Sequence, residues 1–337
     1  MLAANWPAVG ALVGGPPAMP RRGLLFVDPC EYERALLVDS CARHGIECVE
    51  LWSEPLLGAL AANDALPAGA LERARARLAP EAGAEAAWAS RELGDLELLG
   101  VLCGSDAGLA SAERLQHALV PGRSNGIQPA RRDKRLMNEA LAEVGLPVAA
   151  QCATSDWAEA EHFLRSLGSP LRAVLKPRRG QSGMRVGLAT SIEGAKGMWS
   201  ALRSERVSLD EDVPAGALLQ ECLVGDEWVV DTCTADGEHK AVALWRYQKG
   251  AANGAPFVYF CDELRPMAGE AECQIVQYAL GALDALGWRW GPAHTELKMT
   301  EDGPRLVEVN AGRFNGIDFK SIVDVCVGAS QSVCGFL

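Results

Sequence analysis

His294-Thr-Glu296-Leu-Lys298 and Leu306-Val-Glu308-Val-Asn310 stand on either side of Glu301-Asp302-Gly303, and the reading of this stretch decides the rest. Alternating apolar and polar residues flanking an Asp-Gly turn describe a β-hairpin. A hairpin symmetric about Asp302 sets Glu296 opposite Glu308 and His294 opposite Asn310. A period of two keeps all four on one face. Two carboxylates opposed across a strand pair lie roughly 5 Å apart at Cβ and repel each other. The fold tolerates that if a cation bridges them, if they share a proton, or if the face is fully wet. The flanking Leu297, Leu306, Val307 and Val309 mark the sheet as core and favour a metal ion. Two Glu and an Asn oxygen form a hard-ligand set suited to magnesium held jointly with phosphate oxygens. His294 reads equally as a substrate contact, a partner to Glu296 or a structural histidine.

Further upstream, Val174-Leu-Lys176-Pro177-Arg-Arg-Gly180-Gln-Ser182-Gly183 is a buried strand that ends in a lysine and a glycine loop. Such a loop can wrap backbone N–H groups around phosphates, and the alternative is an ordinary glycine turn. It is not a Walker loop, since GxxxxGK[ST] is absent. In Leu219-Gln220-Glu221-Cys222-Leu223-Val-Gly225-Asp-Glu227, an apolar strand runs into a short linker. Its backbone groups can meet an adenine edge and Glu227 can reach ribose hydroxyls; out of context it is simply strand, turn and strand.

The remaining pattern alternates. Strands over 23–27, 46–52 and 96–103 are separated by helices over 31–44 and 66–92 (broken at Pro80), and a helix over 109–119 follows. Strands alternating with helices imply a mostly parallel sheet with right-handed crossovers. Helices are expected over 132–144, 157–167, 191–202 and 270–286, with strands at 173–176, 186–188, 218–222, 227–234 and 239–248 before the final hairpin. The expected division is a flexible leader over 1–22, a Rossmann-like α/β domain over 23–128, and two α+β units over 129–215 and 216–337.

A chain of 337 residues exceeds one typical core. No apolar run approaches the ~18 residues of a membrane span. A net charge of -12 argues against general nucleic-acid binding. The basic stretches Arg131-Arg132-Asp133-Lys134-Arg135 and Lys176-Pro177-Arg178-Arg179 suit a small polyanion such as a nucleoside triphosphate, or are solvated surface charge. Eleven cysteines without a CxxC pair fit neither a disulfide framework nor a zinc site, so reduced thiols in the cytoplasm are expected. The first 27 residues hold no acid; they read as a disordered leader or as a transit peptide to an organelle.

Lys134 at the head of a helix, the VLKP strand with its glycine loop, QECLVGDE, and the paired HTELK and LVEVN strands occur in the order in which the ATP-grasp superfamily carries such motifs. The likeness covers about residues 130 to 320 and is closest to carboxylate–amine ligases that form dipeptides, such as L-amino acid ligases and carnosine synthase. It implies an ATP-grasp fold, two α+β subdomains clasping ATP. By that resemblance Lys134 and Lys176 hold the α- and β-phosphates, and the loop bearing Gly180, Ser182 and Gly183 covers them. Glu221 and Leu223 meet adenine and Glu227 the ribose, while Glu296, Glu308 and Asn310 bind two magnesium ions, with manganese as a substitute. Arg313, together with Lys176, serves catalysis by steadying the acyl phosphate. The partners implied are a small acid and a small amine, with no nucleic acid and no membrane, and a homodimer is the usual assembly.

Three departures stand out. Gly312 intervenes in Asn310-Ala-Gly-Arg313; Arg178, Arg179 and Met184 occupy the loop where small residues are common; and the chain stops at Leu337, which reads as a shortened C-terminal unit. The rival readings are a ligase for a different acid and a nucleotide-binding module that has lost catalysis.

Overall fold

The computed structural model describes residues 20–29, 31–62, 77–180, 185–204, 217–315, 317–328 and 330–331. Three sheets organise them. Strands β1 (Arg22–Val27), β2 (Ile46–Leu51) and β3 (Glu97–Cys103) form a parallel sheet in the order β2-β1-β3. A parallel sheet is covered on both faces, and β1 is accordingly a continuous apolar run whose Leu25, Phe26 and Val27 are fully buried. Asp28 ends that strand at φ +53°. Its carboxylate accepts from Ser53 N and Oγ and from Ser105 Oγ, each at 2.6 Å, tying the carboxyl ends of the three strands together.

The second sheet is antiparallel, in the order β4 (Gln151–Ala153), β7 (Ala217–Glu221), β5 (Ala173–Pro177), β6 (Gly187–Ala189). Helices Trp157–Ser166 and Ile192–Ser204 cover it, burying Leu164, Trp199 and Leu202 against Leu175 and Leu219. Strand β7 pairs with both β4 and β5 and so completes this sheet.

The third sheet holds five antiparallel strands in the order β10 (Ala255–Arg265), β9 (Glu238–Ala252), β8 (Asp226–Ala235), β11 (Gly291–Thr300), β12 (Gly303–Ala311). Helix Glu270–Ala285 and helix Lys134–Glu143 bury Ile275, Leu283, Met137 and Leu141 against Leu297, Leu306 and Val309 on its inner face.

Most expected elements stand within a residue or two of their places. No element is expected over 249–269, yet β9 runs on to Ala252 and β10 returns from Ala255. The signal for that hairpin is Asn253-Gly254, both at positive φ, the residue pair that a two-residue turn requires. A helix Glu54–Ala62, a helix Ile317–Cys326 and the short β4 are further elements that periodicity leaves unmarked. The leader through residue 19 and most of the helix expected before Pro80 lie outside the described residues; residues 77–80 are not helical, since Leu78 bridges to Trp52, and the helix expected after Pro80 is Glu85–Glu92.

The linker read as the end of the first domain is pinned to the third sheet. Buried Asn125 donates to Trp290 O (2.9 Å) and Gln116 Oε1 (3.0 Å), and its Oδ1 accepts from Arg289 N and Trp290 N, both at 2.8 Å. Asn125→Ala leaves those two N–H groups without their acceptor, so a stability loss of about 2 kcal/mol is expected in urea unfolding.

Candidate active site

A cleft of about 580 Å3 is lined by residues of the four-stranded and five-stranded sheets. The acid hairpin supplies one wall. Register pairs Glu296 with Glu308 and His294 with Asn310, as the sequence predicts. The route to that register differs. Thr300 pairs with Gly303 and Leu297 with Leu306, so the turn is the two residues Glu301-Asp302, and an irregularity between Glu296 and Leu297 adds Val307 as an extra residue. This bulge lets Leu306 and Val309 both join the core while Glu308 and Asn310 line the cleft.

Lys134 opens its helix behind the cap residue Asp133, whose Oδ1 accepts from Arg135 N (3.0 Å) and Leu136 N (3.3 Å). Asp133 also holds the Arg178 guanidinium at 2.5 and 3.2 Å, and Lys134 N donates to Arg178 O at 2.9 Å. One buried carboxylate thus caps the helix and fixes the start of the glycine loop against it. The Lys134 ammonium reaches Glu308 Oε2 at 2.9 Å and donates to Gly180 O at 3.0 Å. Ser182 and Gly183, the other loop positions expected to meet nucleotide, lie outside the described residues.

Lys176 sits at the end of β5, buried in the cleft wall. Burial and the neighbouring Lys134 push its ammonium down to about 8, against the opposing pull of Glu308, Glu296 and Glu227. Burial also disfavours the charged form of Glu308, but Lys134 and Lys176 outweigh it and hold this carboxyl down to about 2. A polyanion entering here meets cations and raises the Lys176 ammonium again, so binding takes up a proton wherever free Lys176 is neutral. Affinity for such a polyanion is therefore expected to vary little just below pH 8 and to weaken above it, by at most about tenfold per pH unit. Calorimetric titration at pH 7, 8 and 9 reads this directly.

Glu227 is buried beside two ammonium groups: Lys249, which donates to Oε1, and Lys298, 3.2 Å from Oε2. Lys249 also lies 3.8 Å from Glu296 Oε2 and 4.0 Å above the Tyr259 ring. Burial opposes its charge, yet Glu296 and Glu227 raise its ammonium well above the usual range. His294 donates from Nδ1 to Asp231 Oδ1 (2.9 Å), with Nε2 3.5 Å from Glu296 Oε1. Burial opposes protonation here too, but the two carboxylates raise His294 to about 10, which favours the imidazolium. Asp231 is further fixed by Trp245 Nε1 and Asn315 Nδ2, each at 2.8 Å. Sequence reasoning missed Lys249, Lys298 and Asn315, which line the cleft, and Asp231, which lies behind it and holds His294. Only Lys298 lies inside a recognised motif.

Glu221 and Leu223 line the far end of the cleft, where the Glu221 carboxylate accepts from Ala150 N and Arg305 at 3.1 Å each. Linker and acid hairpin meet at Gly225, where an added Cβ would stand 1.8 Å from Met299 O. Arg313 comes into the cleft because Gly312 takes φ +91°, turning the chain after β12. Its guanidinium pairs with Asp106 Oδ2 at 2.9 Å, and its backbone bridges to Cys103 of the parallel sheet.

Among the described residues no group of three or more His, Cys, Asp or Glu side chains could hold a metal ion. Glu296, Glu308 and Asn310 fit magnesium in a different way: few protein ligands, with the other positions filled by phosphate oxygens and water.

The chain matches the ATP-grasp domain family over residues 169–320, a span that runs from the strand before the glycine loop through the acid hairpin. The chain is a member of the ATP-grasp superfamily. It is 30% identical over 236 residues to dapdiamide A synthase of Enterobacter agglomerans, covering 68% of this chain and 54% of that protein. It is 27% identical over 191 residues to the uncharacterized protein y4rH of Sinorhizobium fredii, covering 53% of this chain and 35% of that one. The chain thus spans about half the length, or less, of the curated relatives it matches. Among solved structures, L-amino acid ligase from Bacillus licheniformis superposes with a TM-score of 0.66 at 18% identity, covering 94% of this chain and 74% of that one. The ATP-grasp fold, a parallel α/β sheet followed by two antiparallel α+β units, is as the sequence predicts. No described helix is long and apolar enough to cross a membrane.

Proposed function

We propose that this ATP-grasp chain is a ligase that joins a carboxylic acid to an amine through an acyl phosphate. The observation that carries the reading is the gathering of Glu296, Glu308, Lys134, Lys176 and Arg313 in one cleft from four separate chain segments. Dapdiamide A synthase, the relative at 30% identity, supports an amide-forming activity.

In this reading Glu221 and Leu223 meet the adenine edge and Glu227 the ribose. Lys134 and Lys176 neutralise the phosphates, and Gly180, Ser182 and Gly183 are the further residues assigned to phosphate contact. Glu296, Glu308 and Asn310 would hold magnesium, which when bound withdraws charge from the phosphate oxygens. A substrate carboxylate oxygen attacks the γ-phosphorus and ADP leaves. Arg313 stabilises the charge on the acyl phosphate. The amine nitrogen then attacks the acyl carbon, inorganic phosphate leaves, and the nitrogen gives up a proton. Acid anion, neutral amine and ATP thus become amide, ADP and hydrogenphosphate, the leaving phosphate taking the proton that the nitrogen loses. No Ser or Cys nucleophile is needed, since the work is positioning and charge neutralisation.

Release of phosphate from ATP that requires both an acid and an amine, measured over pairs of amino acids, tests the proposal. ATP binding without turnover under any pair would instead mark a nucleotide-binding module.

A further inference from the structure

Arg313 leans on the parallel sheet twice: its guanidinium meets Asp106 Oδ2 at 2.9 Å, and its backbone bridges to Cys103 at the end of β3. Asp106 lies in the loop over 104–108, which is tied down on both sides of it. Gly104 N donates to Val27 O at 2.9 Å, and Arg132 Nη2 donates to Asp106 O at 3.4 Å. The shortest of these ties is made by Ser105 Oγ. It donates to Asp28 Oδ2 at 2.6 Å and accepts from Gly108 N at 2.9 Å, where helix Leu109–Leu119 begins. That helix start presses on the same buried carboxylate, since a Cβ added to Gly108 would collide with Asp28 Oδ2. One hydroxyl thus joins the end of β1, the loop after β3 and the start of a helix, one residue from the carboxylate that Arg313 meets.

We propose that Ser105, anchored on Asp28, is a positioning residue that aims Arg313 at the reacting acid through Asp106. The inference rests on the ligase reading and deepens it. Gly312 at φ +91° turns Arg313 off the end of β12, so the guanidinium takes its direction from what it leans on. Asp106 is only as fixed as its loop. Ser105 fixes that loop with a bond to a charged acceptor, stronger than a bond between neutral groups. Asp28 makes a firm anchor, because it is buried and Ser53 N and Oγ each hold it at 2.6 Å from the β2 side. Charge stabilisation depends steeply on aim, since a shift of about 1 Å can cost about 100-fold in rate. Loss of one tie in the loop is a smaller fault, and a fall of about tenfold is expected.

The test follows phosphate release by the full chain with ATP, magnesium and the acid and amine that the wild type uses best. Ser105→Ala is expected to lower kcat about tenfold, with the ATP KM within about threefold. In the Arg313→Ala background the same substitution should change kcat by less than about twofold, because the residue it acts through is gone. An unchanged kcat, equal falls in both backgrounds, or a fall confined to the ATP KM would each overturn the proposal. Ser53→Ala removes the other hydroxyl from Asp28 Oδ2 without touching the loop, and its kcat should stay within about twofold. A matching fall there would make Asp28 and its hydroxyl partners structural alone and sink the inference. Should Ser105→Ala not fold, Ser105→Cys keeps the volume, weakens the bond and takes its place in the cycle. A second readout needs no turnover. The Arg313 guanidinium N–H resonance, assigned by its loss in Arg313→Lys, should shift in Ser105→Ala and stay in place in Ser53→Ala. A resonance unmoved in Ser105→Ala overturns the link to Arg313. If no acid and amine together release phosphate from the wild type, the ligase reading itself fails, and this resonance alone decides whether Ser105 sets Arg313.

Discussion

Glu308→Ala is expected to lower ADP release about 1000-fold or more, while ATP binding without magnesium changes little. Two ammonium groups hold the Glu308 carboxyl down to about 2, so it is an anion at every working pH. It faces Glu296 across the hairpin and is bonded to Lys134. Under the proposed assignment, removal would leave Glu296 and Asn310 as the remaining magnesium ligands and free Lys134 for phosphate. The chemistry should fail for want of a metal site while the nucleotide still has its cations. Glu308→Gln keeps the volume and should fail alike, which separates charge from packing. Near-normal turnover in either variant contradicts the metal assignment.

Arg313→Ala should be the second severe change, with kcat down about 100-fold and the ATP KM within about threefold. The guanidinium enters from the loop after β12 and touches Asp106 rather than any residue assigned to nucleotide. Its loss should therefore be felt after ATP is bound. Arg313→Lys should recover little, because an ammonium cannot span two oxygens as the planar fork does. A variant that raised only the ATP KM would move Arg313 to the nucleotide end of the cleft.

The acid pair was legible because a hairpin is local: a turn within Glu301-Asp302-Gly303 and two alternating strands bring Glu296 and Glu308 face to face without help from the rest of the chain. Even there the bulge at Val307 escaped notice, because a symmetric count about Asp302 and a bulged two-residue turn give the same partner for Glu296. The parallel sheet was legible from apolar runs such as Gly23–Val27. Lys249 was not, since its place depends on β9 lying one strand away from β11, with β8 between them, and strand order leaves no periodic mark. Asp231 and Asn315 were hidden for the same reason, 84 residues apart in sequence and bonded in space. Asp106 belongs to a loop of another sheet, more than two hundred residues before Arg313. The Asn253-Gly254 turn, by contrast, was a readable signal for β10.

The contact at Gly225 has a consequence for length discrimination. With no side chain there, the linker lies directly on Met299, one neighbour of Lys298, whose ammonium donates to Gly225 O at 3.2 Å. The linker and the acid strand are therefore held in direct backbone contact, and Met299 stands three strand residues, about 10 Å, from Glu296. Under the proposed assignment this is a fixed gauge between base and metal, and a ligand whose charged end falls short of it or overshoots would be rejected by backbone spacing alone.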